Sequence, residues 1–229
     1  MCVLIGVGAT PTRTSVRPKI AASSAMAMSQ QHTTPAPPPK QPPRTLAIVI
    51  FGNSFNICIV RVVAIEAMRK LNKQTANEVY FAFTVQEEVG LRGARTAAHG
   101  IDPEIGIALD VTHSGDQAKG PRMAVRLGGG AAIKVHDNGL VVPPGIVQWM
   151  KSRAEADSIP YQLELLSGGT TDAAAIQMAR SGVPSGCISI PCRFIHTTSE
   201  TVDTGDVQAC GLLVGLPVAL IAKQPDLGT

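Results

Sequence analysis

The sequence predicts an α/β fold, a mainly parallel sheet sandwiched by helices. Three observations carry this. From about residue 60 onward, short apolar runs of strand length alternate with stretches of helical periodicity. The runs at 78–85 and 105–111 are apolar almost throughout, as strands covered on both faces are. Hydrophobic residues make up 45% of the chain but aromatics only 3%, so its core is aliphatic and alanine-rich.

Taken in order, residues 62–71 read as an amphipathic helix and 78–85 as a largely buried strand. A short helix follows Gly90 and runs to Gly100. Residues 105–111 form the next buried strand, with Asp110 at its end. Strands follow at 131–135 and 161–165, separated by a helix that starts near Pro144, since proline suits the first helical turn. Gly168-Gly169-Thr170-Thr171-Asp172 opens a helix through Ala179. Residues 185–190 form a strand, and a final helix covers 204–222, its apolar stripe of Leu212, Leu213, Val214, Leu216, Val218 and Leu220 reading as core packing.

Ahead of this pattern, residues 1–45 read as a disordered low-complexity tail and 46–225 as one folded domain. The tail is rich in Ala, Ser, Thr and Pro and ends in Pro35-Ala36-Pro37-Pro38-Pro39-Lys40-Gln41-Pro42-Pro43. It is basic and acid-free, a composition shared by organelle transit peptides, plain low-complexity tails and translated upstream sequence. A cytoplasmic location is expected, with an organelle as the alternative if the tail is a transit peptide.

The net charge of +3 is unevenly spread. Residues 1–60 hold five basic side chains and no acidic one, which leaves 15 basic against 17 acidic residues from Arg61 onward. A nearly neutral, ring-poor domain offers no nucleic-acid face. No apolar run reaches the roughly 18 residues of a membrane span, so no membrane partner is expected. The five cysteines, Cys2, Cys58, Cys187, Cys192 and Cys210, lack CxxC spacing and fit reduced thiols inside a cell.

The chemistry-bearing residues gather at strand ends, where parallel sheets place their ligands. Glu87 and Glu88 sit where the 78–85 strand runs into a glycine turn, in Val85-Gln86-Glu87-Glu88-Val89-Gly90-Leu91-Arg92-Gly93-Ala94. Paired carboxylates there can divide two tasks, one holding a metal and the other moving a proton. Asp110 ends the next strand, or caps a turn with Thr112. Asp172 opens a helix, where it can simply favour the helix amino end, worth about 0.3–1 kcal/mol. His196 follows the last strand. Each alone has an ordinary structural role; together they are the oxygen and nitrogen donor set that suits zinc or cobalt. Gly168 and Gly169 either let the backbone approach a substrate or start the helix tightly, and with Asp172 they are the substrate-binding candidates. His99, His113 and His136 read as solvated loop residues.

Four motifs in order resemble the tetrahedral aminopeptidases, metallopeptidase family forty-two, whose members include glutamyl and deblocking aminopeptidases and some labelled endoglucanase. They are Val85-Gln86-Glu87-Glu88-Val89-Gly90-Leu91-Arg92-Gly93-Ala94-Arg95, Ile107-Ala108-Leu109-Asp110-Val111-Thr112, Gly168-Gly169-Thr170-Thr171-Asp172-Ala173, and Ile190-Pro191-Cys192-Arg193-Phe194-Ile195-His196-Thr197. The likeness covers about 160 residues, from Val62 to Ala222. It implies that 46–225 is a partial, zinc-aminopeptidase-like catalytic domain of a family with two divalent ions, zinc or cobalt, peptide substrates and closed homo-oligomers. Glu87 then resembles the general base, Glu88 and His196 ligands of one metal, and Asp110 a ligand of the other.

The likeness also implies parts that this chain lacks. No His-x-Asp motif precedes residue 60; His32 lies in the tail. The aspartate that bridges both metals falls, counting back without a gap, on Asn56, and a neutral amide cannot bridge two cations as a carboxylate does. The small domain inserted before this point is also missing. The abrupt boundary near Arg61 resembles a truncation, frameshift or fusion in the gene. Three of five implied ligands therefore remain, and a metal-dependent aminopeptidase with impaired turnover is expected. The alternatives are a non-catalytic remnant or assembly subunit of the same family and, last, an endoglucanase. A glycosidase needs two carboxyls across a sugar cleft, about 5–5.5 Å or 6.5–9.5 Å apart, not neighbours in one turn.

Overall fold

A computed structural model describes residues 3–7, 45–50, 57–71, 75 and 77–220. Among them the elements run β1 (Val3–Val7), β2 (Thr45–Ile50), α1 (Ile57–Leu71), β3 (Glu78–Phe83), α2 (Arg92–Ile101), β4 (Ile105–His113) and β5 (Ala131–His136). They continue with α3 (Pro144–Ala156), β6 (Tyr161–Leu165), α4 (Asp172–Gln177), β7 (Ser185–Arg193), β8 (Thr201–Val202) and α5 (Thr204–Leu220).

The strands form one eight-stranded sheet in the order β1-β3-β2-β4-β7-β5-β6, with β8 beside β7. The pairings β2–β3, β2–β4, β4–β7 and β5–β6 are parallel. The pairings β1–β3, β5–β7 and β7–β8 are antiparallel. The sheet is thus mixed, with its parallel centre at β3-β2-β4-β7. The ends of those strands stand together, which is why residues from β3, β4 and β7 can share a site.

Helices cover both faces. Along β3, Val79 and Phe81 belong to one buried cluster and Ala82 to another, as the alternation of a strand requires. The larger cluster joins α1, α3 and α5 through Val63, Leu71, Ile146, Met150 and Leu213. The smaller joins α2 and α4 through Ala94, Ala98 and Ile176. Phe81 and Trp149 are the only buried rings among the described residues, so the expected aliphatic, alanine-rich core is what fills the molecule.

Several elements differ from the expectations above. The apolar, β-branched run Val3–Val7 lies within the expected tail, yet it pairs with β3 as an edge strand. The rest of 1–44, Asn56 and residues 221–225 lie outside the described residues. The 62–71 helix begins earlier, at Ile57. β3 stops at Phe83 rather than at residue 85. α4 ends at Gln177 rather than at Ala179. β4 and β7 each run beyond the expected end, to His113 and Arg193, because they pair with each other as far as His113 and Cys192.

Candidate active site

Past β3 the chain turns sharply to bring both glutamates to the sheet's end. Gln86 takes a left-handed φ of 60°, and the Glu87 carbonyl accepts from Gly90 N at 3.0 Å and Leu91 N at 2.9 Å. The turn is closed by Gly93, whose N–H reaches the Val85 carbonyl at 3.0 Å. A Cβ on Gly93 would lie 2.6 Å from Val85 N and O, both rigid backbone atoms, so only glycine allows this approach. Gly93→Ala is therefore expected to lower stability by about 1–3 kcal/mol, read by urea denaturation. The turn gives the glutamates opposite surroundings: Glu87 is only 9% exposed, whereas the Glu88 side chain is 40% exposed.

Asp110, expected at a strand end, lies inside β4, one residue past the last pairing with β2 and within the pairing with β7, and is buried. Its Oδ1 accepts from Val111 N at 2.7 Å. The turn-capping role with Thr112 is absent, since the Thr112 hydroxyl donates instead to Glu164 at 2.6 Å. Asp172 is the first residue of α4 and accepts at Oδ2 from the Thr84 hydroxyl, 2.6 Å away and 88 residues earlier in the chain. Its other oxygen, Oδ1, is buried with no hydrogen-bond partner.

These three carboxyls crowd one another. Burial, then Asp172, then Glu88 push Glu87 up to about 8. Burial and then Glu87 push Asp110 well above the usual carboxylate range, while the Val111 N–H and Lys134 pull it back. Burial raises Asp172 to about 6 against the opposing bond from Thr84. Burial and mutual repulsion thus oppose ionising all three at once.

His196 stands across from the glutamates. Its Nε2 lies 2.9 Å from Glu88 Oε1, and its backbone N–H donates to Glu200 Oε1 at 2.7 Å. It is reached through two non-glycine residues in the left-handed region, Phe194 at φ 59° and His196 itself at φ 63°, a conformation costing of order 1–3 kcal/mol per residue. Such strain persists only where neighbouring contacts hold it.

A cavity of about 330 Å³ opens over these groups. Glu87, Glu88, Asp110 and His196 line it, together with Gly168 and Gly169. A Cβ on Gly168 would meet nothing within 4 Å, so Gly168 leaves open space over the cavity rather than tightening the helix start. Asp172, expected among the substrate-binding residues, is not among those lining the cavity; it is buried and tied to Thr84. His113, expected to be a solvated loop residue, is half-buried at the end of β4 and lines the cavity. Burial and His196 lower its pKa. His99 and His136 are exposed.

In donor chemistry the site suits a divalent cation. Glu88 and His196 present an oxygen and an imidazole nitrogen side by side, and the crowded carboxyls, with an orphaned oxygen on Asp172, are groups that a cation would relieve. Among the described residues, however, no three His, Cys, Asp or Glu side chains converge as a ready ligand cluster. The fit is by pairs rather than by a complete cage.

Comparison with known proteins decides the family. The model of the M42 glutamyl aminopeptidase family matches residues 57–213, more than half of the chain. The chain belongs to the M42 aminopeptidase family. A putative aminopeptidase of Acetivibrio thermocellus is 48% identical over 153 residues, covering 66% of this chain and 46% of that protein. The TET aminopeptidase of a Thaumarchaeota archaeon superposes with a TM-score of 0.69 at 36% identity, covering 74% of this chain and 49% of the other. The TET1 peptidase of Pyrococcus horikoshii, which can assemble into a tetrahedron or a large octahedral shell, does so with a TM-score of 0.61 at 30% identity, covering 70% and 47%. This M42 chain therefore spans about half the length of the relatives it matches. Divalent metals are general to metallo-aminopeptidases of this kind, and the α/β architecture is common to the superposed structures.

Proposed function

We propose that this M42 chain carries part of a metal-dependent aminopeptidase site and that its own turnover is weak or absent. The observation supporting this most is the split pair at the end of β3: a buried Glu87 beside an exposed Glu88 that faces His196 across an open cavity.

Glu88 and His196 would hold one cation, with zinc and cobalt the candidates; Asp110 offers the second position a single ligand, too few to hold an ion by itself. When bound, such a metal supplies Lewis-acid polarisation of the peptide carbonyl. Glu87 serves as the general base, its carboxylate taking the proton of the attacking water. A base must be ionised to work, and with its pKa pushed up to about 8 Glu87 is largely protonated at neutral pH. Glu87 would ionise more readily beside a bound cation, so metal binding and base catalysis would depend on each other. The open backbone at Gly168, with Gly169 beside it on the cavity wall, would accept the peptide chain of the substrate.

Impairment rests on Asn56 at the place where the family resemblance calls for a bridging aspartate, and on the absence of a His-x-Asp motif in this sequence. A non-catalytic assembly subunit is the second reading, supported by the same shortage of ligands. Self-association is proposed from the shells that the Pyrococcus horikoshii peptidase forms. A cytoplasmic location is proposed as well, from cysteines that lack CxxC spacing and include three buried free thiols, Cys187, Cys192 and Cys210. An endoglucanase is disfavoured, since Glu87 and Glu88 are neighbours in a single turn.

The test is hydrolysis of aminoacyl p-nitroanilides after loading with zinc or cobalt. Any turnover of the wild type should fall about 10²–10⁴-fold in Glu87→Gln, the usual contribution of a general base. Turnover that survives the substitution undiminished would remove Glu87 from this role. Complete absence of turnover in a protein that does take up metal would favour the assembly subunit.

A further inference from the structure

The strained turn that presents His196 is held from outside by a loop to which neither the sequence motifs nor the proposed chemistry gave a part. Beyond their last paired residues, β4 and β7 stay joined. Ser114 N donates to the Cys192 carbonyl at 3.0 Å, and the chain then enters the loop 114–120. Arg193, the last residue of β7, reaches back to Asp116 with two parallel bonds, Nε to Oδ1 at 3.1 Å and a terminal nitrogen to Oδ2 at 2.6 Å. Ser114 donates to the same carboxylate. The next residue, Gln117, accepts at its side-chain oxygen from Phe194 N at 2.8 Å. The residues gripped are therefore the last before the two left-handed positions and the first of those positions, Phe194 and His196 being the pair.

We propose that Asp116 and Gln117 are positioning residues for His196, a tether that fixes the direction in which its imidazole faces Glu88. Part-exposed ion pairs contribute little to stability in general, and Arg193 and Asp116 are about a third exposed. What a planar two-bond pair contributes is direction. It fixes the guanidinium relative to β4, the strand that also carries Asp110, so the tether couples the two sides of the cavity. Gln117 then satisfies a backbone N–H that the left-handed turn removes from the β ladder. The tether rests on the functional reading only in what it is for; its geometric effect on His196 can be read without metal.

The test uses the full chain in two measurements. In the first, metal-free amide hydrogen exchange is followed at residues 193–198 for the wild type, Asp116→Ala, Asp116→Asn and Gln117→Ala, with melting temperature as control. Exchange in 193–198 should rise at least about tenfold in Asp116→Ala and Gln117→Ala while β4 and β7 keep their protection. Asp116→Asn, which keeps an acceptor for Arg193, should restore part of it. Unchanged exchange, or a rise spread evenly over β4 and β7, would overturn the tether. In the second, cobalt is titrated by calorimetry. Affinity should fall about 10-fold in Asp116→Ala, the lower end of what the loss of a ligand-orienting contact costs, and a full loss is expected in a His196→Ala control. Wild-type protein that binds no cobalt would overturn the metal reading, and the exchange measurement would still decide the tether.

Discussion

Lys134→Met is expected to be the most destabilising single substitution around the site, at about 3–5 kcal/mol. Lys134 is fully buried on β5 and meets Glu164 of β6, also fully buried, with Asp137 3.9 Å away. Removing the ammonium leaves two buried carboxylates without their counter-charge, which costs far more than the pair contributes in net stability. The double variant Lys134→Met/Glu164→Leu should recover part of the loss, because apolar groups of similar size often replace a buried pair without penalty, while Asp137 stays buried without its counter-charge. Urea denaturation of the three proteins reads both effects. The consequence reaches the cavity: Thr112 donates to Glu164, and Thr170 donates to Asp137 at 2.9 Å. Both threonines line the cavity, so this buried ammonium supports its walls from behind.

Glu87→Gln should make the metal-free protein more stable at pH 8 and leave it unchanged at pH 4. Glu87 titrates near 8 in the fold against an ordinary value of 4.5. Below 4.5 both folded and unfolded chains hold the proton, and the site is at its most stable. Between 4.5 and 8 the unfolded chain releases a proton that the folded chain retains, so stability falls as pH rises. Glutamine has no proton to lose and escapes the decline. The open cavity screens the charge, which reduces the expected difference at pH 8 to about 1–2 kcal/mol. Melting temperatures across pH 4–8 measure it, and a difference that stays flat with pH would show that Glu87 ionises as an ordinary surface carboxylate. Adding zinc or cobalt at pH 8 should close the gap by stabilising the ionised wild type.

The fold was legible in the sequence where strands are buried on both faces, because an unbroken apolar run of strand length suits the interior of a covered parallel sheet. That Glu87, Glu88, Asp110 and His196 line one cavity was legible for a related reason: a charged or imidazole group at or near the end of such a run lies where parallel sheets gather ligands. Strand ends were less visible, because pairing partners set them. β4 continues past residue 111 because β7 lies beside it, and that extension is what carries His113 into the cavity. The antiparallel β5–β7 pairing left no mark on local pattern, since a buried strand reads alike in either direction. Asp172 had the right residue type at a plausible place, yet its partner Thr84 lies 88 residues away, beyond any local signal. Lys134 did carry a signal, a lone charge inside Ala131-Ala132-Ile133-Lys134-Val135. Such a lysine needs a buried partner, and the sequence could not say that it would be Glu164.

Metal uptake tests the central claim most directly. Elemental analysis and calorimetry should be run on the purified chain after loading with zinc or cobalt, beside Glu88→Ala and His196→Ala. If the site is an M42 metal centre with only part of its ligands, at most one ion should bind per chain, weakly, and both substitutions should abolish it. Two tightly held ions per chain, or an ion indifferent to Glu88 and His196, would contradict this reading.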